Sequence, residues 1–381
     1  MAEHVFRAVV AILLGLCVFS NSLAPRPAHA QERGQPDRNQ RDIAATVHAM
    51  LGPWIDESRA PGVIVVVRYG GRTHCFPFGE ADRARRQPVT AETIFELASI
   101  TKVFTTTSLA MEVEAGHMRL EDSVARYAPY LDRQGKDIKR VTLLELATHT
   151  SALPRVPNQR RPDNQWNKPS MMEWFAEWRA KVPPGSRYQY SNIALGLLGY
   201  AIENREEKPL LEVWREQFLR SLQMNHTFFA IPPAEQHLVV QGYGAEGQPV
   251  EHSPLGGWPA GGRLSSSGRD MGEFLTANLG ERVDLPQITK AIQLAQQPRF
   301  KVSEQMTLAL AWQRIKLNGE LVIDKNGGLA GTSTYIGMLP ERKIGVVVMA
   351  NRGKCRATGI GRRLLLALAG KEHQGGETDE E

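Results

Sequence analysis

The chain has 381 residues, of which 42% are hydrophobic and 23% are charged, and its formal net charge is +5. This length is sufficient for one large core or for two packed sub-domains. The positive charges are spread along the chain and do not form a basic run with interleaved aromatic residues, so the sequence does not indicate a nucleic-acid partner.

The first 30 residues have the pattern of a secretory signal peptide. Arg7 precedes an apolar run over residues 8–19, and Ala28-His29-Ala30 then supplies the small residues of a cleavage site. The apolar run is too short for a comfortable membrane span. The sequence therefore predicts a periplasmic or secreted protein. The alternative is that the signal segment is not cleaved and anchors the protein to the membrane, and no other membrane contact is expected.

Removal of this signal leaves two cysteines, Cys75 and Cys355. In an exported chain they can form a disulfide or remain as two separate thiols, and the sequence leaves both states open. Neither has the spacing of a metal-ligand pair, and the sequence contains no HExxH or CxxC motif. We therefore predict a functional site with no metal and no cofactor.

The N-terminal part of the mature chain predicts a helix followed by a hairpin. A helix is expected through Met50, with an interruption at Gly52-Pro53. Residues 63–69 are rich in β-branched side chains and predict a buried strand. A turn at Gly70-Gly71 then leads into a second strand over residues 72–78.

The middle of the chain is predicted to be mainly helical. Ser170 and Glu173 have the spacing of a capping box. Residues 154–169 contain four prolines and predict a long surface loop, which is either a plain connector or a substrate path lined by Arg155 and Trp166. Apolar spacing predicts helices over residues 143–148, 170–179, 192–204 and 210–222, and after an N-cap at Ser267.

Strand patterns return near the C-terminus, over residues 307–315, 321–324, 333–339 and 344–350, before a final helix at 358–369. Strands thus lie at both ends with helices between them. This order predicts an α/β (α+β) fold, in which an antiparallel sheet from both termini is flanked by helices and carries an inserted, mainly helical region. The expected divisions are a flexible lead-in at 31–44, an α/β sheet region at 45–135 and 301–370, a helical region at 136–300 and a disordered tail at 371–381.

Ser99 and Lys102 are the first candidate catalytic pair. They are three residues apart at the predicted start of a helix, so their side chains share one face. The helix N-terminus adds free backbone N–H groups and a partial positive charge. This arrangement suits a serine nucleophile whose proton is taken by an uncharged Lys102, or by a partner that a charged Lys102 polarises.

Two further segments supply the other groups that acyl transfer needs. Tyr190 offers a phenol and Asn192 an amide that can hold a substrate amide. The run Lys325-Asn326-Gly327-Gly328 follows an apolar strand, where its glycines allow a ligand to approach the backbone. We expect Lys325 to hold an anionic substrate group and the N–H groups of Ser99 and Gly328 to form an oxyanion hole.

The charges in this set also affect the proton carriers. Lys325 and the helix N-terminus both disfavour a charge on Lys102, which favours its role as a base. The same cations are expected to stabilise a Tyr190 phenolate. The sequence lacks the Gly-x-Ser-x-Gly motif of α/β-hydrolases, so a triad of that type is not indicated.

Three motifs, Ser99-x-x-Lys102, Tyr190-x-Asn192 and Lys325-Asn326-Gly327, resemble the class C β-lactamase and penicillin-binding-protein group in their order and separation. The resemblance extends from about residue 45 to residue 370. Within that group, the segment 147–155 is most similar to AmpH-type periplasmic D-alanyl-D-alanine carboxypeptidase/endopeptidases. Asn326 departs from the group's pattern, because a Thr or Ser that contacts the substrate carboxylate usually occupies this position.

The resemblance implies a β-lactamase/transpeptidase-like fold and a penicillin-binding serine hydrolase with a Ser99 acyl-enzyme. Peptidoglycan peptides and β-lactams are the implied partners, and D-alanyl-D-alanine-type amide bonds are the implied target. A class C β-lactamase or an esterase would use the same residues, and a penicillin-binding sensor with little turnover is a further alternative. The oligomeric state stays open.

Overall fold

The structure is a computed structural model that describes residues 38–159 and 166–371. The predicted signal peptide at 1–30 lies outside these residues, as do half of the predicted lead-in and nearly all of the predicted tail. None of the described helices has both the length and the apolar character needed to cross a membrane.

The described helices are α1 Arg38–Ser58, α2 Thr101–Glu114, α3 Pro129–Gln134, α4 Leu143–Ala147, α5 Lys168–Glu177, α6 Asn192–Glu206, α7 Leu210–Trp214, α8 Gly268–Asn278, α9 Pro286–Gln296 and α10 Ala357–Leu368. A short 3₁₀ turn at Ala98–Ile100 leads directly into α2. This turn carries Ser99.

The described strands are β1 Gly62–Tyr69, β2 Arg72–Asp82, β3 Gln87–Pro88, β4 Ile94–Glu96, β5 Thr227–Phe228, β6 Gly242–Tyr243, β7 Pro249–Val250, β8 Ser265–Ser267, β9 Phe300–Lys301, β10 Met306–Leu308, β11 Gln313–Leu317, β12 Glu320–Leu329, β13 Thr332–Leu339 and β14 Ile344–Ala350.

The main sheet is built from both ends of the chain. Within the described residues it has nine strands in the order β3-β2-β1-β14-β13-β12-β11-β10-β9. Its pairs are antiparallel, and β1 joins β14 in a register that places Val65 opposite Val348. The predicted antiparallel sheet from both termini, flanked by helices, is therefore confirmed. The division into sheet and helical regions at residues 135 and 301 stays a prediction.

Each face of the sheet is covered by its own apolar cluster. Along β1, Ile64 and Val66 face the larger cluster, which includes α2 and α8. Val63, Val65 and Val67 face the smaller cluster, which includes α1 and α10. Because successive side chains of a strand point to opposite faces, the continuous β-branched run of β1 fits a strand buried on both sides.

The two cysteines lie on opposite faces of this sheet. Cys75 packs against the larger cluster and Cys355 belongs to the smaller one. The two residues are therefore not joined by a disulfide. Of the two states that the sequence left open, the structure has the one without the bond.

The first helix is longer than predicted, because it begins at Arg38, inside the expected lead-in, and continues through Pro53. A proline inside a helix typically costs about 3 kcal/mol. Leu51 and Trp54, on either side of Pro53, are both buried against the sheet and α10. Their burial explains why the predicted interruption at Gly52-Pro53 is wrong.

Several other predicted boundaries also change. Residues 307–315 are not one strand, because the chain turns at Ala311 (φ 59°) and folds β10 against β11. Asn167, not Ser170, is the N-cap of α5, and its side chain accepts a hydrogen bond from the Ser170 N–H. The predicted helix at 210–222 is instead α7 followed by a π-helical turn at Arg215–Leu219. Sequence patterns did not identify β8 or α9.

Candidate active site

Ser99 lies at the junction between β4 and the buried helix α2. The residue before it, Ala98, has a left-handed backbone with φ of 49°. Thr101 fixes this turn, since its hydroxyl donates to the Ala98 carbonyl at 2.6 Å and accepts from the Leu264 N–H at 3.0 Å. The turn thus holds the nucleophile candidate in a defined position at the start of α2.

Lys102 lies one turn further along and is completely buried. Its Nζ atom is 3.1 Å from Ser99 Oγ and 2.8 Å from Asn192 Oδ1, and it also donates to the Gly261 carbonyl. Burial lowers the pKa of Lys102 well below its ordinary value, and the like charge of Lys325 lowers this pKa further. A neutral amine has two N–H donors and one lone pair, which matches the two oxygen acceptors and Ser99 Oγ.

Tyr190 approaches the same serine from the loop before α6. Its hydroxyl donates to Ser99 Oγ at 2.7 Å. Burial raises the pKa of the Tyr190 phenol to about 12, although the bond to Ser99 and the charge of Arg155 act in the opposite direction. The expected phenolate is therefore wrong for this structure, because desolvation outweighs the neighbouring cations. The site therefore brings together a phenol that keeps its proton and an amine whose proton burial makes easier to remove.

Lys325 completes the group from the sheet side. Its Nζ atom lies 5.0 Å from the centroid of the Tyr190 ring, and its side chain is buried. Burial lowers the pKa of Lys325 to about 8, while the neighbouring Asp324 carboxylate acts to raise it. At neutral pH this lysine is still mostly charged, so it is the cation available to an anionic ligand.

Asn326, Gly327 and Gly328 lie within β12, which runs further than the predicted strand at 321–324. In the described residues β11 pairs with β12 only as far as Asp324, so the later part of β12 has one unpaired edge. A Cβ atom on Gly327 would lie 2.5 Å from the Leu97 carbonyl oxygen and 2.9 Å from Ser99 N. The glycine therefore permits β12 to pass directly beside the Ser99 turn.

Sequence reasoning missed two groups at this site. The Gly261 carbonyl accepts a hydrogen bond from Lys102, and Gly261 was not among the predicted site residues. His149 is buried with its ring centroid 4.5 Å from that of Tyr190, and its Nδ1 accepts the Ser191 N–H at 3.1 Å. Burial, with the charges of Lys325 and Lys102, lowers the pKa of His149 well below its ordinary value. The available signal was that His149 lies in the segment 147–155, which is similar to AmpH-type enzymes.

One group in the described residues has ligand atoms close enough to hold a metal ion. Glu112, His117 and Glu206 place one ligand atom each within 4.8 Å of one another. Glu112 lies in the last turn of α2 and His117 follows that helix, whereas Ser99 precedes its N-terminal end. This group is separate from the catalytic cleft, where the residues that meet are Ser99, Lys102, Tyr190, Asn192 and Lys325.

Comparison with known proteins identifies the relatives of this arrangement. The family profile described as Beta-lactamase matches residues 37–371. The beta-lactamase of Yersinia enterocolitica is 30% identical over 355 residues, which cover 84% of this chain and 89% of that protein. The beta-lactamase of Escherichia coli K12 is 28% identical over 345 residues, covering 82% of this chain and 89% of that protein.

Solved structures give the same result. A class C beta-lactamase from Rhodobacter sphaeroides superposes with a TM-score of 0.75 and 28% identity, over 84% of this chain and 98% of that one. Another class C beta-lactamase superposes with a TM-score of 0.80 at 23% identity, which supports the fold. Together with the profile match over most of the chain, these similarities show that the protein is a serine hydrolase and belongs to the beta-lactamase family.

Proposed function

We propose that this protein hydrolyses β-lactams through an acyl-enzyme on Ser99. The observation that carries the proposal is the position of Ser99 Oγ, which lies 3.1 Å from the Lys102 amine and 2.7 Å from the Tyr190 hydroxyl. A hydroxyl flanked by a neutral base and a proton donor is the arrangement that nucleophilic catalysis requires. The names of the curated relatives favour β-lactams as the substrate.

Acylation begins with attack of Ser99 Oγ on the substrate carbonyl carbon. The lone pair of Lys102 takes the hydroxyl proton, because the amine is neutral and its two N–H bonds are held by Asn192 and Gly261. The scissile C–N bond then breaks, and the leaving nitrogen takes a proton from the Tyr190 hydroxyl. Lys102 returns its proton to the tyrosine oxygen, so one proton passes in total from serine to leaving nitrogen.

Backbone N–H groups stabilise the charge that develops on the carbonyl oxygen. We assign this role to the N–H groups of Ser99 and Gly328, since β12 lies directly beside the Ser99 turn at Gly327. Removal of one such donor typically costs ~10²–10³ in rate. In the second half-reaction, a water attacks the ester carbonyl, Lys102 and Tyr190 pass its proton to Ser99 Oγ, and the acid product leaves.

The substrate contacts divide between the two walls of the cleft. Lys325, with Asn326 beside it, is placed to hold a carboxylate on the leaving-group side. Asn192 lies on the helical wall, where its Nδ2 group can donate to an amide carbonyl of the acyl portion. Asn326 retains a hydrogen-bond donor where the family usually has a hydroxyl, but with a different reach, and we expect it to affect substrate choice.

A D-alanyl-D-alanine peptidase of peptidoglycan is the second candidate. The similarity of residues 147–155 to AmpH-type carboxypeptidase/endopeptidases favours it. The same acyl-enzyme serves both reactions, since each substrate has an amide carbonyl beside an anionic group. The candidates differ in which acyl-enzyme water removes quickly.

Intact-mass analysis after treatment with benzylpenicillin tests the shared step. In samples quenched with acid early in the reaction, we expect one adduct on the native protein and none on Ser99→Ala. The native protein would overturn the proposal if it gave neither an adduct nor hydrolysed penicillin. Steady-state rates on nitrocefin, a D-Ala-D-Ala peptide and a p-nitrophenyl ester then rank β-lactamase, peptidase and esterase. A lasting adduct with no product from any of these would instead favour a sensor.

We also infer that the protein works in the periplasm or outside the cell, because residues 1–30 have the pattern of a signal peptide. Mass analysis of the protein recovered from a periplasmic fraction is expected to give a chain that begins at Gln31. Recovery of the full-length chain from the membrane fraction would favour the uncleaved anchor.

A further inference from the structure

Arg155 brings a second cation to the catalytic tyrosine. Its guanidinium carbon lies 5.3 Å from the centroid of the Tyr190 ring, and the residue is exposed. The Arg155 carbonyl accepts the Asn192 N–H at 2.9 Å, which anchors this residue to the start of α6. Arg155 therefore belongs to the helical wall of the cleft, opposite the wall formed by β12 and Lys325.

The guanidinium of Arg155 has no acidic partner within the described residues. No ion pair or side-chain hydrogen bond involves it there. Two buried carboxylates that are close in sequence to Lys325 and Ser99 have other partners. Asp324 binds Arg362 at 2.8 Å behind the sheet, and Glu96 accepts the Ser253 N–H at 2.9 Å.

The cleft consequently has more positive charge than a single anion neutralises. Lys325 is 5.0 Å and Arg155 is 5.3 Å from the same ring centroid, and they come from different walls. Both charges lower the pKa of the Lys102 amine, as like charges do. Lys325 suffices for one carboxylate, which leaves Arg155 available for another anionic group.

We propose that Arg155 determines specificity by binding a second carboxylate, located on the acyl portion of the substrate. This inference rests on the proposed function, because it assumes a Ser99 acyl-enzyme with the leaving group on the Lys325 side. The acyl portion then extends past Asn192 toward Arg155. A guanidinium offers paired N–H donors that match a carboxylate, and such charge-assisted bonds are stronger than neutral ones.

The competing explanation is that Arg155 only positions Tyr190 through its contact with the ring. The two explanations differ in their dependence on the substrate. A positioning residue affects every acyl donor to a similar extent, whereas a carboxylate-binding residue affects donors according to their charge. The test therefore compares two substrates that differ by one carboxylate.

Benzylpenicillin and its α-carboxy analogue carbenicillin form this matched pair. The second-order acylation rate of each is measured by intact mass on the native protein, Arg155→Gln, Arg155→Lys and Arg187→Gln. We expect the ratio of the carbenicillin rate to the benzylpenicillin rate to fall about ten-fold in Arg155→Gln, the lower end for a charge-assisted hydrogen bond. Arg155→Lys keeps the charge and should recover part of this ratio.

Arg187→Gln removes another exposed arginine, three residues before Tyr190, and should leave the ratio unchanged. Added salt should lower the ratio for the native protein, because an exposed charge pair is screened. An unchanged ratio in Arg155→Gln overturns the inference, and so does an equal fall for both penicillins, which would assign Arg155 to positioning. Failure of both penicillins to acylate the native protein would refute the proposed function itself.

Discussion

The Lys102 amine and the Asn192 side chain form a buried hydrogen bond, with Nζ 2.8 Å from Oδ1. In the neutral amine that we propose as the base, this bond and the bond to the Gly261 carbonyl occupy both N–H groups and leave the lone pair for Ser99 Oγ. Asn192 therefore contributes to the base as well as to the substrate wall. Because its side chain carries no charge, it orients the amine while stabilising the ammonium form much less than a carboxylate would.

The variant Asn192→Asp tests this relationship. A carboxylate at 2.8 Å favours the charged form of Lys102, and opposite charges at such distances typically displace a pKa by about 1–3. We expect the acylation rate at pH 7 to fall. The midpoint of the pH profile of this rate should move to a higher pH by a similar amount. Stopped-flow acylation between pH 5 and 10 measures both effects.

Asn192→Ser is the neutral control for this prediction. It removes the acceptor without adding a charge, so its acylation rate should fall while the midpoint of the pH profile stays near that of the native protein. An unchanged midpoint in Asn192→Asp would contradict the assignment of Lys102 as the neutral base.

A second prediction concerns the hydroxyl of Tyr190. Tyr190→Phe keeps the ring that lies against His149, Arg155 and Lys325 but removes the group that donates to Ser99 Oγ. General acid–base catalysis typically contributes ~10²–10⁴ in rate, so kcat/KM for a β-lactam should fall by that range with the fold retained. The measurement is steady-state hydrolysis of nitrocefin, with circular dichroism to check the fold and Tyr188→Phe as the control. A loss below about five-fold would leave the phenol without a role in proton transfer.

A third prediction uses the two neighbouring glycines of β12. In Gly327→Ala the new Cβ would lie 2.5 Å from two oxygen atoms, the Leu97 carbonyl and the Thr334 hydroxyl. Since both belong to well-packed segments, β12 must move away from the Ser99 turn. We expect a loss of about 1–3 kcal/mol in the free energy of unfolding and a rate loss of ~10² or more from the displaced oxyanion hole.

Gly328→Ala is the matched control, because a Cβ at that position meets no atom within 4 Å. The substitution keeps the backbone N–H that we assign to the oxyanion hole. Its unfolding free energy should stay within about 0.5 kcal/mol of the native value, and acylation should be far less impaired than in Gly327→Ala. Equal losses in the two variants would argue against close passage of β12 beside Ser99.

Local sequence patterns predicted the parts of this protein that local chemistry determines. The strand β14 was predicted with the bounds Ile344–Ala350, because its apolar residues are continuous and turn residues precede them. Ser99 and Lys102 were found because a spacing of three fixes their proximity within one turn. Tyr190 and Lys325 were predicted from motifs, and the structure brings Tyr190 to Ser99 and Lys325 to the Tyr190 ring.

Features that depend on tertiary contacts were not predictable in this way. The Gly261 carbonyl that binds Lys102 is a backbone atom, and no side-chain pattern distinguishes it from any other carbonyl. The helix α1 continues through Pro53 because its neighbours are buried on the sheet, which no local propensity indicates. The phenolate was predicted from charges alone, and burial, which the sequence does not report, reverses that expectation.

The last prediction follows from the cost of holding Lys325 charged in the interior. Its pKa is about 8 in the folded protein, against about 10.4 in an unfolded chain. Below pH 8, Lys325 is protonated in both the folded and the unfolded protein. The buried charge then lowers the free energy of unfolding by its full amount, roughly 3 kcal/mol. Between pH 8 and about 10.4 the unfolded state binds more protons than the folded state, so stability rises with pH.

Lys325→Met should therefore stabilise the protein at pH 7 by roughly 2–3 kcal/mol while it weakens the binding of anionic substrates. This advantage should shrink as the pH rises from 8 toward 10.4, because the native lysine becomes neutral in the folded state. Urea unfolding at several pH values measures the difference, and Lys316→Met, at an exposed position, serves as the control. The native KM for a carboxylate-bearing substrate should also rise above pH 8. If Lys325→Met is no more stable than the native protein at pH 7, a buried charge at this position does not carry the cost argued here, and Lys325 must be solvated or paired in solution.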